Sequence, residues 1–405
     1  MSAFNPTSDR KASPRQTFIR LAVSLGFFVN GFGLGSWTPE VPIIGARLGL
    51  TPATFGFMVL IFGLGAVMAM PIVGALIAKR GSRDVTVGTQ VIFALAIACL
   101  TTAPHPALAG LAVFVFGIGL GGMDVAINAN AVSVERHMDR AIMSSCHGFW
   151  SLGAFAGAGL GGTLIETFGP VGHTLIVASF ALLTLLYVAP NMLDDRQAPL
   201  PKDTTAARLP MRDMLAAQRT PLLLAIAIGL VALGGFVQEG VVIDWSAVYL
   251  RDELGVTLAA SGFGFAAFSA TMALFRFIGD GIRERYGAVR TVRVSLMIAL
   301  CGLVVLIFAS SLPTALIGFL ILGIGLSNVV PIAFSAAGNL KGLADGTGIS
   351  IASAIAYSGG LIAPALVGIV AAAYGFSTIF AALATITVAI MASAKLLKRA
   401  DRDRA

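Results

Sequence analysis

Apolar positions in this chain run in long blocks, not in the ~10-residue alternating segments of a membrane β-barrel. Breaks at Pro, Gly and charge clusters separate twelve blocks. They lie near residues 17–38, 54–78, 85–102, 107–133, 143–167 and 172–190, then 221–249, 258–281, 288–310, 313–337, 346–372 and 376–397. Each is about 20 residues, enough to cross a ~30 Å hydrocarbon core as a helix. The pattern predicts an all-α membrane protein with twelve transmembrane helices in two six-helix halves. The one long polar segment, DDRQAPLPKDTTAARLPMRDMLAAQRT, divides the chain into a first half at 1–193, a linker at 194–220 and a second half at 221–405.

Composition agrees with a lipid-embedded chain. Of the 405 residues, 57% are hydrophobic and 12% charged, against about 25% charged in a soluble domain. The net charge of +7 would suggest nucleic acid in a soluble protein; here it has a topological cause. Placing the termini and alternate loops on one side gathers 24 of the 27 Lys and Arg, leaving Arg47 and Arg251 opposite and Arg276 inside a block. Basic residues are retained on the cytoplasmic side. The expectation is a multi-pass protein of the cytoplasmic (inner) membrane with both termini and the linker inside, and no nucleic-acid partner. Residues 1–16 lack the apolar segment and cleavage site of a signal peptide, so the first span is expected to be retained. Cys99, Cys146 and Cys301 lie far apart in apolar blocks and read as packing residues, with no disulfide framework and no metal site.

The halves repeat each other. FGIGLGG at 116–122 returns as LGIGLSN at 322–328, an offset of 206; Gly56-Phe57 and Gly262-Phe263, Gly81 and Gly287, and Gly169 and Gly375 share it. FVN at 28–30 with Trp37 matches FVQ at 236–238 with Trp245, at offset 208. Parallel-related halves joined by a linker are the architecture of transporters that rock around a midplane site.

The loop GALIAKRGSR (74–83) resembles the cytoplasmic loop motif Gly-x-Leu-x-Asp-Arg-x-Gly-Arg of the major facilitator superfamily through Gly74, Leu76, Arg80 and Gly81, with Ala78 at the acidic position. Its counterpart DGIRERYGAVR (280–290) has Glu284 there, and Asp280 replaces the leading glycine. The resemblance implies an inner gate drawn from Arg80, Arg83, Glu135, Arg276, Asp280 and Glu284 that depends more on the second half. NGFGLGSWTPEVP (30–42), MDVAINANAVSVER (123–136), IMSSCHGFWSLG (142–153) and EGVVIDWSAVYLRDELG (239–255) together resemble the MosC-like branch related to the proton-coupled fucose permeases. That implies movement of a small polar organic solute, sugar- or polyol-like.

Ionisable residues at membrane depth are costly and point to function unless pairing explains them. Asp124 lies mid-block, and Asn128, Ala131 and Glu135 follow at spacings that share one helix face. A carboxylic acid in a low-dielectric cavity suits reversible proton loading; the plainer reading is a hydrogen bond to a neighbouring helix. In the seventh block Trp245 and Tyr249 read as an interfacial aromatic belt, making Asp244 a rim acid. Glu239, about 7.5 Å deeper at 1.5 Å per residue, joins Asp124 as a candidate proton-coupling acid. Asn30 and Trp37 share a face, as do Gln238 and Trp245: an amide and an indole suit a polar ring, or equally helix packing and interface anchoring. His147 and Trp150, one turn apart, and Asn128, Asn328 and Tyr357 complete the candidate substrate-binding set. Arg276 and Asp280, at i and i+4, are expected to neutralise each other or join the gate. Pro331 and Pro364 are expected to kink their helices.

No phosphate loop, metal cluster or nucleophile–base motif occurs, so neither an enzyme nor an ATP-driven pump is expected, and no cofactor. The leading expectation is a monomeric, proton-coupled secondary transporter. The alternatives are a drug/proton antiporter exporting amphipathic compounds and a solute sensor that does not transport.

Overall fold

The computed structural model describes residues 13–49, 52–196, 211–256, 260 and 263–401; most of the linker, 197–210, lies outside the described residues. The elements are α1 (Pro14–Arg47), α2 (Pro52–Arg80), α3 (Ser82–Thr102), α4 (Pro106–Met138), α5 (Met143–Asn191), α6 (Met211–Asp252), α7 (Phe263–Tyr286), α8 (Ala288–Ile307), α9 (Leu312–Leu326), α10 (Val329–Gly338), α11 (Thr347–Tyr374) and α12 (Phe376–Ser393), with a closing 3₁₀ turn at Ala394–Ala400. No strand occurs among the described residues.

Ten helices or collinear helix pairs are long and apolar enough to span, and α11 adds an eleventh as two pieces bent by 42° between Ala363 and Leu366, around Pro364. The 49-residue α5 holds two legs, because Gly169 inside it has non-helical φ 72° and ψ 168°. That completes the twelve. One span is broken: α9 and α10 are separated at Ser327–Asn328. The cause is Pro331, which has no N–H to offer the carbonyl four residues earlier, that of Ser327.

The repeat is visible in backbone angles. Gly81 (φ 79°, ψ 160°), Gly169, Gly287 (φ 78°, ψ 157°) and Gly375 (φ 77°, ψ 169°) each join two helices in the same conformation. Only glycine holds this region without strain. Three of the helices that follow are capped by acids. Asp195 accepts the Ser82 N–H at 2.7 Å and its hydroxyl at 2.6 Å. Asp401, 206 residues later, accepts the Ala288 N–H at 2.8 Å on each oxygen. Glu253 accepts the Phe376 N–H at 2.5 Å. The fourth helix starts at Pro170, which has no N–H to cap. The residue equivalent to Glu253 there is Arg47, which donates instead to the carbonyls of Leu100 and Thr101 at the end of α3.

Within the first half, α1 and the first leg of α5 pack almost backbone to backbone. A methyl on Gly31 or Gly35 would fall 2.0–2.1 Å from the carbonyls of Trp150 and Ala154, and one on Gly153 would fall 2.1 Å from that of Phe28. Such approach is the use of small residues in helix packing without water. The halves meet chiefly along α5 against α7 and α2 against α11. Cys146 is buried, whereas Cys99 and Cys301 lie exposed on the surface; all three are free thiols, and the latter two are not core residues.

Candidate functional site

The first half contributes a polar cluster to the middle of the bundle. Asp124, 4% exposed, sits near the centre of α4. Asn128, one turn on, donates to the Asp124 backbone carbonyl at 2.9 Å and its carboxylate Oδ1 at 3.3 Å. The Asn128 side-chain oxygen meets His147 Nε2 of α5 at 3.2 Å, and the imidazole packs against the rings of Phe27 and Phe334. Asp124 Oδ2 is buried without a hydrogen bond. Tyr357 of α11, in the other half, faces the Asp124 carboxylate. Asn30 donates to the Leu120 carbonyl and accepts from Trp150 Nε1, both at 2.9 Å. It therefore ties α1, α4 and α5 together.

The second half contributes an ion pair. Arg276 Nη2 meets the two carboxylate oxygens of Glu239 at 3.0 and 3.2 Å. Nη1 donates to Ser151 Oγ of α5 at 2.6 Å, and Nε donates to the Ser327 carbonyl at 3.3 Å. That carbonyl is the one Pro331 left free. Asn328, at the break, donates to Ser327 Oγ and the Phe275 carbonyl; a methyl on Gly279 would fall 1.8 Å from its Oδ1. Arg276 does not neutralise Asp280, as its i,i+4 spacing suggested. Glu239 of α6 takes the guanidinium instead, with both of its oxygens on Nη2 while Nη1 and Nε bond Ser151 and Ser327.

Asp280 is engaged at the basic end. Its oxygens accept the N–H groups of Ser144 and Ser145 at 2.8 Å each, and Glu284 accepts that of Ala141 at 2.6 Å. Glu135 accepts from Ile142 and Met143 N–H, Arg283 and Ser335. Three carboxylates thus hold the first turn of α5, whose free N–H groups and positive dipole end attract anions. Two of the three come from α7. The contact on the other side, α2 against α11, has no such acids: Gly74 packs on Ser350, whose hydroxyl donates to the Met70 carbonyl at 2.6 Å. Arg136 adds a further bridge, donating to Asn339 and to the Gly338 carbonyl. Arg83 instead pairs with Asp84 and Asp194 inside the first half, and Arg80 is exposed.

Other candidates stand apart from this cluster. Trp37 packs with Phe62 and Phe116 inside the first half. Gln238 accepts from Thr387 of α12 at 2.9 Å and faces that helix. Asp244 is exposed and borders, with Trp245, Phe236 and Gly240, a small groove. Tyr249 is no belt residue: it is 2% exposed and packs among Phe319, Phe376 and Phe380. Sequence reasoning missed one buried pair, Glu40 and His173, whose Oε1 and Nδ1 are 2.6 Å apart with both side chains fully buried. The signal was an acid two residues past the block that ended at 38, where α1 in fact continues to Arg47.

Three comparisons place the chain among known proteins. The family model described as Major Facilitator Superfamily matches residues 23–343 and 240–405. An uncharacterized MFS-type transporter of Yersinia pestis is 33% identical over 380 residues, 94% of this chain and 96% of the relative. The membrane protein MosC of Rhizobium meliloti is 30% identical over 376 residues, 91% of this chain and 88% of MosC. Among solved structures, the E. coli fucose:proton symporter FucP superposes with a TM-score of 0.73 at 17% identity, over 93% of this chain and 97% of FucP. That last likeness shows the fold.

Proposed function

The chain belongs to the major facilitator superfamily, and on that premise we propose that it is a secondary active transporter, driven by protons, of a small polar organic solute of sugar or polyol type. It works by alternating access between halves 1–193 and 221–405, joined by the linker 194–220, as a monomer in the cytoplasmic membrane with the basic end inside. The observation that carries this reading is the polar cluster at mid-depth. Tyr357 of one half faces Asp124 of the other, whose carboxylate is bonded to Asn128, and Arg276, paired with Glu239, donates to Ser151 across the same boundary. Buried acids where two rocking halves meet suit a proton whose binding depends on which side is open.

Asn128 and Tyr357 offer hydrogen bonds, and Trp150 and Phe334 offer apolar faces, which suits a hydroxylated ring. The carboxylates on the first turn of α5, with the Arg136 bridge, close the basic end, so this conformation is read as outward-facing. The rim acid Asp244 in its largely apolar groove favours a second reading, export of amphipathic cations. Solute flux into proteoliposomes, with and without an imposed pH gradient, separates the two. Accumulation of polyols driven by the gradient supports the first. Gradient-driven movement of amphipathic cations alone supports the second, and no flux of either kind overturns transport.

A further inference from the structure

The joint between α7 and α8 repeats the joint between α2 and α3 in backbone but not in charge. In the first half, Arg83 and Arg196 are each held by Asp84 and Asp194. The residues 206 positions on from those acids are Arg290 and Ala400. The second half therefore lacks both acids and has a cation in place of one. Its arginines flank a ring instead. The guanidinium carbons of Arg285 and Arg290 lie 5.3 and 5.7 Å from the ring centroid of Tyr286, which is 47% exposed. Among the described residues the ion-paired arginines at this end are Arg83, Arg136, Arg196 and Arg283; Arg285 and Arg290 have no ion pair. The acids at the joint are engaged by backbone, Glu284 by the Ala141 N–H and Asp401 by that of Ala288. Asp401 also ties the closing 3₁₀ turn to this joint, which brings the exposed Lys398 and Arg399 to the same end.

Two guanidiniums on one ring repel each other, and contact with an exposed aromatic face offsets little of that. A bound anion offsets far more. Its source follows from what each arginine stands on. Ile278 and Leu274 precede Arg285 by 7 and 11 residues, and Val294 and Met297 follow Arg290 by 4 and 7. Those spacings share a helix face, and all four side chains are exposed. Each arginine thus heads an apolar stripe turned to the bilayer. A free phosphate uses the cations alone, whereas a phospholipid uses the stripes as well. We propose that Arg285, Tyr286 and Arg290 form a headgroup site for an anionic phospholipid. The phosphodiester lies between the two guanidiniums, whose forks match phosphate oxygens, and the acyl chains lie along α7 and α8. Basic residues at the membrane surface draw anionic lipid, and here two of them are set around one ring. The site stands apart from the central cluster and does not depend on what the chain carries.

Native mass spectrometry of the full-length protein in a non-ionic detergent tests this by counting retained molecules. Dioctanoyl phosphatidylglycerol, dioctanoyl phosphatidylcholine and inorganic phosphate are titrated separately. The expected result is one tightly retained phosphatidylglycerol, with the other two weaker by at least about tenfold. Arg285→Gln with Arg290→Gln is expected to weaken that retention by at least about tenfold. Arg15→Gln with Lys79→Gln removes the same charge from other exposed positions at the basic end and is expected to leave it unchanged. Tyr286→Ala is expected to weaken retention, and Tyr286→Phe to keep it. If the paired Gln variant does not fold, Arg285→Lys with Arg290→Lys, which keeps the charge but not the forks, is expected to weaken retention as well. Equal retention of the two lipids, or parent-like retention by the Gln pair or by the Lys pair, would overturn the site. An equal loss in Arg15→Gln with Lys79→Gln would also overturn it, since the whole basic surface would then be responsible. Inorganic phosphate retained as tightly as phosphatidylglycerol would overturn the assignment to lipid.

Discussion

The guanidinium of Arg276 and the carboxylate of Glu239 meet at 3.0 and 3.2 Å, with Arg276 3% exposed and the Glu239 side chain 16% exposed. A buried cation therefore already occupies one of the two central acids, while Asp124 has no ion-pair partner among the described residues and one unsatisfied oxygen. That difference separates their roles and leads to the first prediction.

Asp124→Asn keeps shape and hydrogen bonding and removes titration. Counterflow of solute is expected to survive while accumulation driven by a pH gradient is lost. Asp244→Asn is expected to change little, because a rim acid already meets water. Glu239→Gln is expected to weaken both activities, since it strands Arg276. If Asp124→Asn accumulates solute like the parent and Glu239→Gln does not, the coupling acid has been misassigned. The surface acid Asp194 does not confuse the experiment. Arg196, hydrogen-bonded to it, holds its carboxyl down at about 2. Its folded value lies below the unfolded one, so the stability it lends is present above the ordinary carboxylate range and lost only as pH falls through about 2.

Pro331→Ala returns an N–H to the Ser327 carbonyl and removes that acceptor from Arg276. A helix interior favours alanine over proline by about 3 kcal/mol, so thermal stability is expected to hold or rise while transport falls. A variant that is less stable and transports normally would show that the break serves packing only.

His173→Ala leaves Glu40 buried with no partner, and removing one member of a buried pair costs about 3–5 kcal/mol. Thermal unfolding in detergent is expected to show that loss, and Glu40→Gln, whose amide still bonds the imidazole, a smaller one. Equal stability of His173→Ala and the parent would mean that water reaches this pair.

Single cysteines at Arg140 and Asp252, exposed at opposite ends, test orientation in cells with the native thiols replaced. An impermeant maleimide is expected to label position 252 from outside and position 140 only after permeabilisation. Outside labelling at 140 would invert the topology.

Much of the helical architecture was legible because lipid imposes a coarse rule: apolar length sets the spans. The joints at Gly81, Gly169, Gly287 and Gly375 were legible from their shared offset, and the structure adds that they share one backbone conformation. The partners of charged residues were not legible. Spacing put Asp280 near Arg276, but only tertiary packing brings Glu239 to the guanidinium and the start of α5 to Asp280. The same holds for Gln238, whose repeat counterpart Asn30 bonds α4 and α5 while it turns to Thr387. The Glu40–His173 pair was hidden because Pro39 and Pro42 suggested a helix end where α1 continues.

Capping by Asp195 and Asp401 has a consequence for how such a chain can be made. Each acid stands at the tail of its own half and fastens onto that half's third helix, Ser82 in one case and Ala288 in the other. The tail of each unit is thus tied back to its middle by its own residues. A cut in the chain after Asp195 and before α6 severs none of these ties. Two separate polypeptides, one per unit, are therefore expected to assemble when co-expressed, as the products of a tandem duplication would.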